Sequence, residues 1–535
     1  MDTALFAEIQ RSLPKFNRRI TRGFATEELK GVEDYIQRLI RCAELRFPPG
    51  LTYMRCERCT PTEEYNFATA KKTTKQYYEY SQTDVYLMKY YFEYKGVPLR
   101  PRYLYLPFVD DGGIIRIMGN RFSISPVLAD IAVSAGDDNV FIPLNLDKLT
   151  FRRVLHHYVV DGKRVGVSVV HSEVYHRSKK SRVGQKRTIN ALSTLAHYQF
   201  AKWGLQQTFA RYLNTEIMVG NPEYINHINF PIDEWVVCES TQVKPYGNKN
   251  KFYVGTDIRI AIRREHYSAS ASGLIAGFFY IADRFPEQMN PEYVNNERFW
   301  RELLGHVIFA SEESVGKLLN KVDGHIESLD GYIDAMSQEW LKEDNVFVND
   351  LYELFQHVID TYSERTANAA ATSSTMYGKR LMVLRYVMID VIKAIFNMMF
   401  GLQTAAKKGL TENDINKIMD THFKPHIIHR INHRHGEVSS VSNPSPCMSF
   451  KVTSNIVLQT NITSGASAAK TNTITSANIL HSSIAEIGQF NNLPKGEPTG
   501  RKRFNPYGEI DERNITVQRE RTAALLNRVQ ADIER

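Results

Sequence analysis

Three stretches of this 535-residue chain concentrate side chains able to do chemistry, and two of them are basic. Residues 176–187 read HRSKKSRVGQKR, and Lys179, Lys180, Arg182, Lys186 and Arg187 stand there among small and turn-forming residues. Such a run neutralises phosphates, although a solvated loop that keeps a protein soluble has the same composition. Residues 498–508 read PTGRKRFNPYG, with Arg501, Lys502 and Arg503 beside Phe504 and Tyr507. Cations interleaved with aromatic rings suit single-stranded or hybrid nucleic acid, and the plainer reading is an exposed charged turn. The third stretch, residues 421–435, carries His422, His426, His429 and His433 at helical spacing, followed by His435. No carboxylate stands among them and Pro425 interrupts the helix, so a basic face is favoured over a metal site.

Other candidate chemistry is thinner. Cys56 and Cys59 have the C-x-x-C spacing of half a zinc site, with no second half to complete four ligands. Asp110 and Asp111 precede Gly112-Gly113 and read as a turn between strands. There is no D-x-D-x-D run of the kind that clusters carboxylates around two Mg2+ ions, and no P-loop, G-x-S-x-G or H-E-x-x-H motif. The residues therefore point to contact with a polyanion and do not name a reaction.

The elements that must position these groups belong to a large chain. Its length predicts three to four domains, and 43% hydrophobic against 24% charged residues describes a globular protein with a sizeable core. The net charge of +8 permits a polyanionic partner. Five scattered cysteines make no disulfide framework. The longest apolar stretch, residues 381–402, is interrupted by Arg385, Asp390, Lys393 and Asn397 and reads as a buried helix, so no membrane segment is expected. Tyr 28 and Phe 27 against Trp 4 is an aromatic excess suited to half-buried strands or interfaces.

Along the chain, a helix is expected over residues 26–45 with Thr26 as N-cap, and Leu29, Val32, Ile36, Leu39 and Ile40 on one face. Residues 85–107 read as paired strands broken at Gly96 and Pro98, followed by a turn at residues 110–113 and a strand over 114–118. Asp161-Gly162 should turn a hairpin between residues 154–160 and 165–170. The chain should become mainly helical after residue 291, with helices over 299–309, 312–336, 348–362 and 379–402. Residues 366–378 read as a loop, 443–508 as long loops, and 516–533 as a helix.

Residues 61–128 resemble the N-terminal region of the large β-type subunit of multisubunit RNA polymerases. Pro61, Glu63, Leu106-Pro107, Asp111-Gly112, the isoleucines of 114–117, Gly119, Arg121, Ile124 and Ser125 fall in the family's order, without the Glu of its Glu-Arg pair. Tyr377-Gly378-Lys379-Arg380-Leu381 resembles the Gly-Lys-Arg-Leu segment at which that chain returns from lobe to protrusion. Residues 448–455 and 478–486 are similar to the fork region, and Pro506-Tyr507-Gly508 resembles the segment after it. Separately encoded β halves occur in the polymerases of giant phiKZ-like bacteriophages, which the chain resembles in ending there.

The resemblance implies an α+β, multidomain protein: a protrusion-like domain over residues 1–147, a lobe-like insertion over 148–372, a helical return over 373–440 and a fork-like region over 441–535. It implies a subunit of a DNA-directed RNA polymerase that forms one wall of the cleft for DNA and the RNA hybrid. Catalytic Mg2+ would be held by a partner β′-type chain, and the partners would be the C-terminal β half, β′-type chains, the DNA template and the RNA product. Ile487-Gly488 stand where cellular members carry an Arg pair facing the hybrid, so that role passes to Arg501, Lys502 and Arg503 or is lost. The expected location is the cytoplasm of an infected host, with packaging in the virion left open. The alternative is a phage structural or DNA-packaging protein whose basic loops bind DNA.

Overall fold

The computed structural model describes residues 24–70, 85–110, 113–117, 120–124, 126–130, 132–136, 139–145, 148–172, 193–241, 256–309, 314–368, 375–427, 438–440, 455–459, 483–488, 501–505 and 508–518. They form a mixed α and β fold with several antiparallel sheets. The chain divides into two compact units, one made of Met1–Ile131 with Ala371–Arg535, the other of Ala132–Ala370.

The first unit is built on two helices, Phe24–Lys30 and Val32–Glu44, where the sequence predicted one. Thr26 lies inside the first helix and is buried, so it is no N-cap. The break falls at Gly31, whose N–H bonds back to the Glu28 carbonyl at 3.1 Å. The predicted stripe holds: Leu29, Val32, Ile36, Leu39 and Ile40 are all buried. Beside them Val85–Tyr94 is the central strand of an antiparallel sheet, flanked by Leu51–Arg58 and by Val97–Pro98 with Arg102–Pro107. Lys95 and Gly96 both take positive φ, 51° and 79°, which gives the two-residue turn the twist of its strands. Ile389–Ala406 packs on Glu412–His422 through a close approach at Gly401, where an added Cβ would lie 3.0 Å from Ile418.

Residues 379–382 depart from the expected helix: Lys379–Met382 is a strand, and helix resumes at Leu384–Val387 and Ile389–Ala406. Its four residues are all buried with a partner strand to pair with, and pairing overrides helical periodicity over so short a segment. Strands Asn455–Gln459, Arg501–Arg503 and Thr516–Val517 likewise replace the expected loop and helix starts.

The second unit centres on an eight-stranded sheet. Its longest pair, Lys148–Val160 with Lys163–Ser172, turns at Asp161 (φ 46°) and Gly162 (φ 78°), as the Asp-Gly dipeptide predicts. Asp161 also ties the turn down, accepting the Val237 N–H at 2.9 Å and pairing with Arg264 at 2.7 Å. Helices Leu195–Trp203, Ala269–Arg284 and Leu351–Ala367 pack against the sheet, and Glu297–Ile308 and Val315–Leu329 pack behind. The helix expected over 312–336 is interrupted, because Asp334 caps a new one, Ala335–Glu343, by accepting the Ser337 N–H and hydroxyl at 3.0 and 2.6 Å.

Helices Leu195–Trp203, Leu205–Leu213 and Ala269–Arg284 precede the point at which the sequence turned helical. In Leu195–Trp203 the seven residues from Leu195 to Ala201 are all buried, so no polar face marks the 3.6-residue period. Trp300 sits at the centre of this core against Phe200 and Phe278, with its indole N–H donated to the Val294 carbonyl at 2.6 Å. Part of the aromatic excess is spent in cores of the two units: Tyr90, Tyr105, Tyr158, Tyr198, Tyr352 and Tyr362 are fully buried.

His197 lies in the same core, its Nε2 3.0 Å from the Trp300 carbonyl. Burial pushes its pKa down to about 3. An unfolded histidine titrates near 6.5, so below that pH the unfolded chain binds a proton the folded one refuses. Stability from this group is therefore complete above about pH 6.5 and falls as pH drops toward 3, by about 1.4 kcal/mol per pH unit. Calorimetry at pH 7 and pH 5 should show the second unit weakened by about 2 kcal/mol at the lower pH, and His197→Gln should flatten that dependence.

Candidate nucleic-acid interface

Arg501, Lys502 and Arg503 form a strand, not a turn. Their backbone pairs antiparallel with Asn455–Val457, which pairs in parallel with Val127–Ala129, which in turn pairs antiparallel with Lys379–Met382. Four segments remote in sequence thus make one sheet, and among the described residues the basic strand is last in its order. An edge position leaves backbone groups open to a partner, and Lys or Arg there also discourages edge-to-edge association. Phe504, fully buried, bridges to Gly488, and the Asn505 N–H donates to the Ile487 carbonyl at 2.8 Å. Ile487 and Gly488 therefore serve as a framework for the basic strand.

The other edge of the sheet is where Tyr377-Gly378-Lys379-Arg380-Leu381 lies. Gly378 takes φ 67°, turning the chain into the strand, and donates its N–H to the Thr516 carbonyl at 2.8 Å. Thr516, buried, returns two contacts: its hydroxyl accepts the Lys379 N–H at 3.0 Å and donates to the Met376 carbonyl at 2.6 Å. The Leu381 N–H donates to the Asn514 carbonyl at 2.9 Å, and Asn514, at φ 64°, reaches Glu28 at 3.1 Å. Ser483, also buried, accepts the Met376 N–H at 2.8 Å, and Tyr377 donates to the Glu486 carboxylate. Lys379 and Arg380 are themselves buried, 3% and 7% exposed, so this segment is scaffold and does not present its charges to a ligand.

The other candidates fare differently. Lys179, Lys180, Arg182, Lys186 and Arg187 lie outside the described residues. The strands that flank them pair, His171 opposite Thr194 and Ser172 opposite Ser193, so the two ends of that basic segment are held side by side. Cys59 is buried against Val85, Leu87 and Tyr105, and burial pushes its thiol up to about 11. Cys56 is half-buried in the sheet opposite Tyr90. His422 ends the helix Glu412–His422 and His426 packs 5.1 Å from Tyr105, while His429, His433 and His435 lie outside the described residues. Among the described residues no three His, Cys, Asp or Glu side chains converge as a metal site would require, and no helix is long and apolar enough to cross a membrane.

Two charge networks in the first unit, each gathered on a buried cation, were not foreseen. Arg100 and Arg102 both pair with Asp420, and Arg102 also donates to Asn416, tying the strand Arg102–Pro107 to the helix Glu412–His422. Lys89, mostly buried, pairs with Glu63 at 2.7 Å and Glu57 at 3.1 Å; the Glu63 contact holds the lysine well above its usual range and Glu63 down near 2. Their only sequence signals are a cation alternating with apolar residues in a strand and an Arg-Pro-Arg run.

The family model for a non-virion RNA polymerase subunit matches residues 3–519. The chain belongs to that family. It is a subunit of a phage non-virion RNA polymerase, and the structural or packaging alternative is set aside. The match runs through both compact units and through both basic segments, 176–187 and 501–503. No curated protein matches the chain. Enzymes of this class use Mg2+, and the described residues of this family member supply no cluster to hold it.

The Thr516 contacts make a direct test. Thr516→Val removes the hydroxyl while keeping its shape, leaving the Lys379 N–H and Met376 carbonyl buried with one partner fewer. The first unit should lose about 1–3 kcal/mol, read as a lowered melting temperature, while Thr516→Ser should stay near the parent.

Proposed function

We propose that this subunit is the N-terminal half of a split β-type chain and forms one wall of the cleft that holds template DNA and the RNA hybrid. The observation that carries this reading is the insertion. The unit Ala132–Ala370 interrupts a unit made of the residues on either side, and the Gly-Lys-Arg-Leu-like segment is the first strand after the return. That order matches a lobe inserted in a protrusion. The region from the strand Asn455–Gln459 to the strand Arg501–Arg503 then takes the place of the fork.

In this reading Arg501, Lys502 and Arg503, with Lys179, Lys180, Arg182, Lys186 and Arg187, contact phosphates of DNA or RNA. Such contacts position a strand without reading its sequence, and they weaken with salt. Phosphoryl transfer takes place at Mg2+ held by carboxylates of a β′-type partner, so no step of nucleotide addition is assigned to this chain. Its partners are the C-terminal β half and β′-type chains, and its place of work is the cytoplasm of the infected host. The family's description as a non-virion enzyme favours synthesis after infection over packaging.

The test is reconstitution. Template-dependent RNA synthesis is expected only from the assembly of all subunits; incorporation of nucleotides by the isolated chain would overturn the reading. In the assembled enzyme, Arg501→Ala with Arg503→Ala should weaken DNA retention and reduce the slope of log affinity against log salt by about 1.5, two phosphate contacts' worth. An unchanged slope would remove that strand from the interface.

A further inference from the structure

In the second unit, residues 221–234 (NPEYINHINFPIDE) connect the strands Ile217–Gly220 and Trp235–Ser240. Two of their apolar side chains are anchors. Ile225 and Phe230 are buried in a cluster with Val237 and Ala261. Three others face out: Tyr224 is 55% exposed, Ile232 49% and Ile228 90%, the largest exposure among the large hydrophobic residues described.

This segment is held in one conformation. The Asn226 side chain donates to the Glu223 carbonyl at 2.8 Å and accepts the N–H groups of Ile228 and Asn229, each at 3.0 Å. Asn229 donates back to the Tyr224 carbonyl at 2.9 Å. From the neighbouring strand and turn, Arg259 donates to the Ile225 carbonyl at 3.2 Å and Arg264 to the Ile232 carbonyl at 2.7 Å. The geometry needs the two asparagines and the two buried anchors; nothing in it needs an isoleucine at 228. A branched aliphatic group fixed in water on a rigid turn gains nothing from folding, whereas a contact made by a pre-ordered knob avoids the entropy cost of ordering it on binding.

Charge selects the occupant. Residues 221–234 contain Glu223, Asp233 and Glu234 and no Lys or Arg, in a chain whose net charge is +8. The nearby Arg263 pairs with Glu234 at 3.0 Å, and Arg264 and Arg259 pair with Asp161 and Glu239, each at 2.7 Å, so these cations are matched and Glu223 and Asp233 set the sign of the segment. An acidic rim repels DNA, RNA and anionic lipid. A second copy docked about a two-fold axis would set the same acids against each other. Membership of a subunit family supplies the remaining occupant, a different chain of the same enzyme.

We propose that residues 221–234 are a docking knob for another subunit of the polymerase, with Ile228 entering an apolar pocket rimmed by Lys or Arg. The inference rests on membership of the family and not on the assignment to the β half, so either can fail alone.

The experiment co-expresses the tagged full chain with the other polymerase subunits and measures what co-purifies. Ile228→Asp should lower retention of one subunit at least about ten-fold, and Glu223→Lys with Asp233→Lys should lower it in a way that raised salt diminishes. Ile228→Met should leave it near the parent. Because Ile228 is 90% exposed, the melting temperature of the Ile228→Asp chain should be unchanged. A photo-crosslinking amino acid at position 228 should attach to that same subunit. Full retention with Ile228→Asp, or a crosslink to a second copy, to nucleic acid or to nothing, would overturn the proposal.

Discussion

The backbone of Lys379–Met382 is buried, and its amides and carbonyls must find partners inside the protein. The four-stranded sheet of the first unit follows from how they do so. One side pairs with Val127–Asp130, with Lys379 opposite Asp130. The other side is met by the 514–516 segment, through the Asn514 and Thr516 carbonyls and the Thr516 hydroxyl. Val127–Asp130 ends just before Ala132 and Lys379–Met382 follows Ala370 in sequence, so this pairing joins the last described strand of the first unit before the insertion to the first described strand after it. A large insertion is tolerated between segments that already pair with each other, since it then adds little loop-closure cost. The same sheet carries the basic strand Arg501–Arg503 at its far edge.

Part of the positive charge of the first unit does structural work. Arg102, Lys379 and Arg380 are buried, as is most of the Lys89 side chain, and carboxylates meet Lys89 and Arg102 at close range. Desolvating a cation is costly unless a carboxylate and further hydrogen bonds meet it, so removing one partner alone costs more than the pair contributes. The net charge of +8 is thus no direct measure of an interface, and the acid-rimmed apolar turn of the second unit shows that the surface is not uniformly basic. The aromatic excess resolves in the same way: rings such as Tyr90, Tyr105 and Phe278 fill cores inside the chain.

What the sequence disclosed was local. The Asp161-Gly162 hairpin, the strands around Gly96 and the apolar stripe of Val32–Glu44 are set by turn chemistry and periodicity within a few residues. What it concealed was set at long range. Leu195–Trp203 is buried on all sides and shows no helical stripe, and Lys379–Met382 becomes a strand because Val127–Asp130 is there to pair with it. The basic run at 501–503 was visible by composition, but its place on a sheet edge depends on segments more than 300 residues apart in sequence, which no local pattern encodes. The segment 377–381 has a physical role in the structure as a clamp between Val127–Asp130 and the 514–516 segment.

The most direct test of the account is the structure of the assembled polymerase stalled on template DNA with its RNA. The account predicts that the strand Arg501–Arg503 lies against the nucleic-acid backbone and that Mg2+ is coordinated wholly by carboxylates of another chain. A catalytic metal ligated by residues of this chain, or a basic strand facing bulk solvent far from DNA and RNA, would contradict it.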